Sequence, residues 1–213
     1  MMNNNYNYQK EANISCLLED IEYSERKDAL TKIVSEFEAN KIRYALACSM
    51  NLFLQGIVDD FHDLDFIVEF KDVAKIKNVM KLMGAILKET GGNGYCESNV
   101  YMHFQLGRVD VDIISGFKIF TFGTHFLYEL NPKELTFTSI IDEFPKIPLI
   151  PIEALYVWYA MMEGWQPKRR YKRVLIEEYL IIEGVIFPEI LKNALKADLP
   201  AWIKKQIKLI LLN

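Results

Sequence analysis

Two stretches of this chain alternate aspartate with apolar residues at a spacing that suits a β-strand, and they constrain the fold more than any other feature. The first is His62-Asp63-Leu64-Asp65-Phe66-Ile67-Val68; the second is Arg108-Val109-Asp110-Val111-Asp112-Ile113-Ile114. Side chains two apart on a strand share a face, so Asp63 and Asp65 point one way and Leu64 and Phe66 the other. In the second stretch Val109, Val111 and Ile113 should be buried. Asp110 and Asp112 should then face solvent or a shared ion, because an unpaired buried charge is costly. Adjacent ionised carboxylates repel one another unless a cation sits between them, and Mg²⁺ prefers oxygen ligands of this kind. A lone Asp-x-Asp is ordinary at a solvated strand end. If the two strands are neighbours, however, three or four carboxylates meet, as in sites where two metal ions clamp attacking and leaving oxygens.

The surrounding chain reads as a mixed unit followed by a helical one. Residues 1–12 form a polar, frayed start, and residues 14–39 a helix with Leu17, Leu18, Ile21, Ala29, Ile33 and Phe37 at helical spacing. Residues 42–47 are a short strand; Ser49 is expected at the N-cap of a helix over 50–56, which Gly56 ends. After a strand over 64–70, Asp72 should cap a helix bearing Val73, Ile76, Met80 and Met83, closed by Gly84. Gly91-Gly92-Asn93-Gly94 signals a turn, and strands over 95–106 and 109–115 flank Gly107-Arg108 as a hairpin. Further β-like pieces cover 118–122 and 135–138. The character changes at Ile147-Pro148-Leu149-Ile150-Pro151, beyond which helices are expected over 153–163, 168–183, 188–196 and 201–212. The implied division is 1–146, an α/β part with N-terminal helices, and 147–213, a helical part.

The junction between residues 42–47 and the following helix adds a third element to the carboxylates. The first N–H groups of a helix are free, and its dipole favours an anion there. The Ser49 hydroxyl is either a further donor to a terminal phosphate or simply the cap of its own helix. Ala45-Leu46-Ala47-Cys48-Ser49-Met50-Asn51-Leu52, followed after a turn by Asp63-Leu64-Asp65, resembles the DNA polymerase beta-like nucleotidyltransferase superfamily. That signature places Gly-Gly or Gly-Ser at a strand–helix junction and Asp-x-Asp or Asp-x-Glu on the next strand. A third carboxylate follows on a later strand, where Arg108-Val109-Asp110 is the match and Asp112 the alternative in another register. The small lincosamide and aminoglycoside nucleotidyltransferases and toxin-type members are the nearest comparisons.

The resemblance implies an α+β fold, with a mixed twisted sheet, flanking helices and a helical C-terminal part. It implies two Mg²⁺ ions on Asp63, Asp65 and Asp110, and ATP or another nucleoside triphosphate as co-substrate. Asp110 or Asp112 would serve as base, and a hydroxyl acceptor such as an antibiotic would receive the nucleoside monophosphate. Two departures stand out. Ala47-Cys48-Ser49 lacks the glycine, and Lys172-Arg173 stands where small members carry Lys-Asp. The missing glycine favours a second reading, a binding or regulatory module without turnover, such as a toxin–antitoxin component.

Other features are weaker. Lys168-Arg169-Arg170-Tyr171-Lys172-Arg173 holds five cations in six residues, and on a helix Lys168 and Lys172 share a face. Lys168, Arg169 and Lys172 are candidates for phosphate binding, although a solvated basic face explains them as well. The net charge of −4 argues against non-specific duplex binding, so nucleic acid is not the favoured acceptor. His62, His103 and His125 have no metal-ligand spacing, and the three cysteines show no paired spacing. Trp158, Tyr159, Trp165 and Tyr171 suit either a substrate cleft or a core, and for Trp158 the core is expected. With no apolar leader at residues 1–10 and no run long enough to span a membrane, a reducing cytoplasm is the expected setting.

Overall fold

A computed structural model describes residues 4–91, 96–121, 123–140 and 145–212. The chain opens with two helices, α1 (Asn4–Glu19) and α2 (Ile21–Ala39), where one was expected after a frayed start. Asp20 separates them and caps α2, its side chain accepting from the Glu22 N–H at 2.9 Å. The polar beginning is helical because tertiary contacts hold it. Asn13 is buried and donates to the carbonyls of Phe53 and Val58, and the Tyr6 ring meets Tyr179 edge-on at 5.0 Å. Gly56 lies under this helix at φ +73°.

The strands are β1 (Tyr44–Leu46), β2 (Leu64–Val68), β3 (Ile86–Thr90), β4 (Cys96–Leu106), β5 (Val109–Thr121), β6 (Thr124–Tyr128), β7 (Thr136–Thr138) and β8 (Ile147–Leu149). Among the described residues they form one mixed sheet in the order β3-β4-β5-β2-β1-β8-β7, with β6 paired to β5. β2 runs parallel to β5 and antiparallel to β1, so the two aspartate-bearing strands are neighbours. Helix α3 (Cys48–Leu54) follows β1, and α4 (Val73–Leu82) follows a 3₁₀ turn at Phe70–Asp72. That turn replaces the end of the expected 64–70 strand. Asp72 stands at the start of α4 as expected, but its carboxylate accepts from the Arg43 N–H at 3.1 Å rather than from α4.

Two further expectations changed with tertiary context. Residues 118–121 are the continuation of β5, not a separate strand; Phe122 of that piece lies outside the described residues, as do Gly92, Asn93, Gly94 and Tyr95. Residues 147–149, where the helical part was expected to begin, form β8 and enter the sheet parallel to β1.

Beyond β8 come α5 (Ile152–Glu163), α6 (Arg170–Glu183), α7 (Pro188–Lys196) and α8 (Ala201–Ile210). Every residue of α5 from Ile152 to Met162 is buried, as expected of a helix apolar on nearly all sides. It covers one face of the sheet through Trp158, whose ring lies 4.3 Å from Phe117, confirming the core role expected for that tryptophan. α2 covers the other face through Phe37, 5.5 Å from Phe66. β2 is thus sealed on both faces, and even Asp65 is only 6% exposed. That burial sets the electrostatics of the site.

Gly56 and Gly107 both have positive φ, but only Gly56 is crowded: a Cβ there would lie 2.5 Å from the Tyr6 carbonyl oxygen. Gly107→Ala is expected to lose only the backbone penalty of about 1–2 kcal/mol. Gly56→Ala should lose clearly more, read as a larger fall in the urea midpoint, and equal falls would contradict the close packing of α1.

Candidate functional site

The parallel register of β2 on β5 sets Leu64 opposite Val111 and Asp65 opposite Asp112. Asp63 immediately precedes β2. Carboxylate oxygens of Asp63, Asp65 and Asp112 consequently lie within 4.8 Å of one another. Asp110, expected as the third carboxylate, is one step outside. It precedes the first paired position of β5 with β2, and its side chain is 54% exposed against 18% for Asp112. The clustered residue is the alternative, Asp112, because strand register, which spacing within one strand does not reveal, decides which carboxylate meets Asp65.

The β1–α3 junction faces this cluster. Ser49 is not the N-cap: α3 begins two residues earlier than expected, with Ala47 at the cap and no capping side chain. The Ser49 hydroxyl instead donates to Asp63 Oδ1 at 3.1 Å. Cys48 has φ +48°, the left-handed region in which a side chain is strained and glycine is not. The backbone thus holds a conformation that glycine would favour with a side chain present. The Cys48 thiol donates to the Asp65 carboxylate. Burial and the charges of Asp65 and Asp63 push the thiol well up, which argues against a thiolate nucleophile. Asn51 ties the junction down by donating to the carbonyls of Leu46 and Ile150.

Burial, followed by repulsion from Asp63 and Asp112, raises the Asp65 carboxyl well above the usual range; Arg169 and the Cys48 hydrogen bond oppose this. Asp112 is also raised, chiefly by burial, against the hydrogen bond and charge of His103. Three hard oxygen donors whose ionisation is resisted by desolvation and mutual repulsion fit a divalent cation of the Mg²⁺ type, whose charge would remove both costs.

The expected basic residues divide. Arg169 lines the cleft and, with Lys172, lies over the buried Tyr159 ring, at 5.9 and 6.0 Å. The charges of both act on Asp65 or on the adjacent Cys48, while burial and Arg169 lower the Lys172 ammonium. Lys168 is exposed and does not line the cleft. Arg173 is occupied by Glu163 and Glu177. His62 is 81% exposed beside Asp60. The cleft, about 240 Å³, continues from the carboxylates past Tyr101, Glu89, Phe117, Trp165 and Gln166. Gly116, at φ +61°, breaks the alternation of β5 so that both Ile114 and Phe117 line it.

Residue-by-residue reading missed Tyr101 and His103. Tyr101 donates to Asp112 Oδ1 at 3.2 Å, and His103 Nδ1 lies 2.7 Å from the same oxygen. The signal was present: a two-residue Gly107-Arg108 turn pairs Leu106 with Val109 and therefore His103 with Asp112.

The fold matches that of solved structures. The chain has the nucleotidyltransferase fold. A Thermotoga maritima protein classed as a nucleotidyltransferase superposes with a TM-score of 0.54 at 18% identity, over 72% of this chain and 94% of that one. ANT(2″)-Ia in complex with adenylyl-2″-tobramycin superposes at 0.53 with 10% identity, over 75% of this chain and 92% of that one. The solution structure of the same antibiotic-resistance factor gives 0.52 at 12% identity, over 72% and 83% of the two chains. No family model and no curated protein matches the sequence. The nucleotidyltransferase fold is thus shared at identities where only architecture persists. Among the described residues no helix is long and apolar enough to cross a membrane.

Two predictions follow from the electrostatics and the strain. The folded state holds the Asp65 proton to higher pH than the unfolded chain, whose aspartates titrate near ~3.9. Its contribution to stability is therefore full below that value and is lost as pH rises through the folded value. Metal-free Asp65→Asn should be more stable than wild type at neutral pH, with the advantage vanishing towards pH ~4. Urea unfolding across pH reads the difference, and a wild type as stable as the variant at neutral pH would refute it. Separately, Cys48→Gly should exceed Cys48→Ala in stability by about 1 kcal/mol, since both lose the thiol and only alanine keeps the strain. Equal unfolding midpoints would show that the junction relaxes.

Proposed function

We propose that this chain is a metal-dependent nucleotidyltransferase that moves a nucleoside monophosphate from ATP, or another nucleoside triphosphate, to a hydroxyl acceptor. The observation that carries the reading is the cluster of Asp63, Asp65 and Asp112 beside the β1–α3 junction, with the charges of Arg169 and Lys172 acting on Asp65 or the adjacent Cys48. Asp63, Asp65 and Asp112 would hold Mg²⁺, most simply as two ions. When bound, the metal neutralises the triphosphate and polarises the phosphorus that is attacked.

The chain's own residues supply the remainder. Arg169 and Lys172 pair with phosphate oxygens, and Ser49 holds Asp63 in place. Asp112 accepts the proton of the acceptor hydroxyl, whose oxygen bonds to the α-phosphorus. The bond from that phosphorus to the bridging oxygen breaks, and pyrophosphate leaves with the electron pair. Most of the rate would come from alignment and charge neutralisation in a partly desolvated cleft. The adenylyl-2″-tobramycin in the ANT(2″)-Ia complex supports a small hydroxylated molecule as acceptor. In this reading Arg169 and Lys172 take the phosphate-binding role, whereas Asp110 lies outside the cluster and Lys168 does not line the cleft.

A second reading, a nucleotide-binding or regulatory domain without turnover, is favoured by Cys48 alone, since a side chain at that position crowds the approach of the triphosphate.

Asp63→Ala and Asp65→Ala should each lower transfer of labelled nucleoside monophosphate more than about a hundredfold, above the range for residues that only support a metal ligand. Circular dichroism should be unchanged. Transfer retained by either variant would sink the reading. Pyrophosphate release across a panel of hydroxylated acceptors separates it from the second, which predicts nucleotide binding with no release.

A further inference from the structure

We propose that His103 is the positioning residue that aims Asp112 at the reacting group, with its ring set between Asp110 and Asp112. The inference rests on the nucleotidyltransferase reading above. Each clustered carboxylate has a restraint, and that on Asp112 is of a different kind. Asp63 is held by the Ser49 hydroxyl and Asp65 by the weak donor of the Cys48 thiol. Asp112 is gripped by two side chains of the neighbouring strand, Tyr101 Oη at 3.2 Å and His103 Nδ1 at 2.7 Å. Both reach the same oxygen, Oδ1. Among the described residues no hydrogen bond reaches Oδ2, so that oxygen is left for a ligand or an acceptor proton.

The grip matters because of repulsion. Asp112 stands within the 4.8 Å cluster beside two like charges, and an unrestrained carboxylate would rotate out towards the open end of the cleft. With Asp112 ionised, as a ligand or base must be, Nδ1 carries the proton and donates. The ring's other nitrogen lies 3.5 Å from Asp110 Oδ1, which places the second aspartate of the strand behind the histidine rather than in the cluster. His103 is directly opposite Asp112 in the β4–β5 ladder, so backbone pairing fixes the distance between them. Asp110 and Asp112 thus fill two places on one line: one in the cluster, the other against the residue that orients it.

The test compares His103→Leu, which removes the donor, with His103→Asn, whose amide N–H₂ can replace Nδ1–H. The first readout is calorimetric binding of Mn²⁺ alone; the second is pyrophosphate release from Mg²⁺-ATP with an acceptor that supports turnover. His103→Leu should weaken Mn²⁺ binding and lower kcat by between about ten- and a hundredfold. KM for ATP should stay nearly constant, since Arg169 and Lys172 are untouched. His103→Asn should recover most of both losses, which a merely structural histidine would not predict. Wild-type turnover with an undiminished His103→Leu variant overturns this inference alone, as do equal losses in the two variants. A wild-type protein that neither binds Mn²⁺ nor releases pyrophosphate overturns the parent reading and this one together.

Discussion

The repulsion among Asp63, Asp65 and Asp112 is the constraint to which the rest of the site answers. Parallel pairing of β2 with β5 forces Asp65 beside Asp112, and the helices above and below the sheet remove the water that would screen them. Burial alone would neutralise such a group. The surrounding side chains work in the opposite direction. Ser49, Cys48, Tyr101 and His103 each direct a donor at one carboxylate, and Arg169 and Lys172 bring positive charge without closing an ion pair among the described residues. On the proposed reading, the result is a site held ready for a divalent cation.

That arrangement depends on a scaffold stiff enough to resist it. α5 is the central element: its apolar surface packs on the sheet through Trp158, and its buried Glu153 accepts from the N–H groups of Ile186 and Phe187 at 2.7 and 2.9 Å, ahead of α7. At its other end, Glu163 and Glu177 hold Arg173, which anchors the start of α6. The same turn carries Arg169 and Lys172. One basic run therefore divides by depth into a buried structural cation, Arg173, the half-buried Arg169 and Lys172 over the Tyr159 ring, and the exposed Lys168 and Arg170. Identical chemistry along the sequence acquires different roles because the helix rotates each residue to a different environment.

The junction at Cys48 shows how function and stability compete in a few residues. The backbone turns through the left-handed region to bring Ser49 against Asp63, and it does so with a side chain present. The thiol is put to use as a donor to Asp65, and the same burial that suppresses its ionisation keeps it from reacting. Strain of this kind persists only where neighbours over-determine it, and Asn51, bonded to both Leu46 and Ile150, is the neighbour that does so.

Local pattern determined much of this protein. Period-two alternation marked β2 and β5, the Gly107-Arg108 turn marked the hairpin, and Asp63 and Asp65 were legible as a pair because two residues on a strand must share a face. The C-terminal helices were equally plain, since burying a stripe at helical spacing is a local property. Only the tertiary structure decided that Asp112 rather than Asp110 meets that pair, because parallel register is set between strands far apart in sequence. It also decided that residues 147–149 enter the sheet, that the polar start folds as α1 against Gly56, and that Arg169 lines the cleft while Lys168 does not. The physical reason is common to all four. Each depends on what lies across a gap of many residues, and the hydrophobic pattern of a segment specifies which face is buried without specifying what it is buried against.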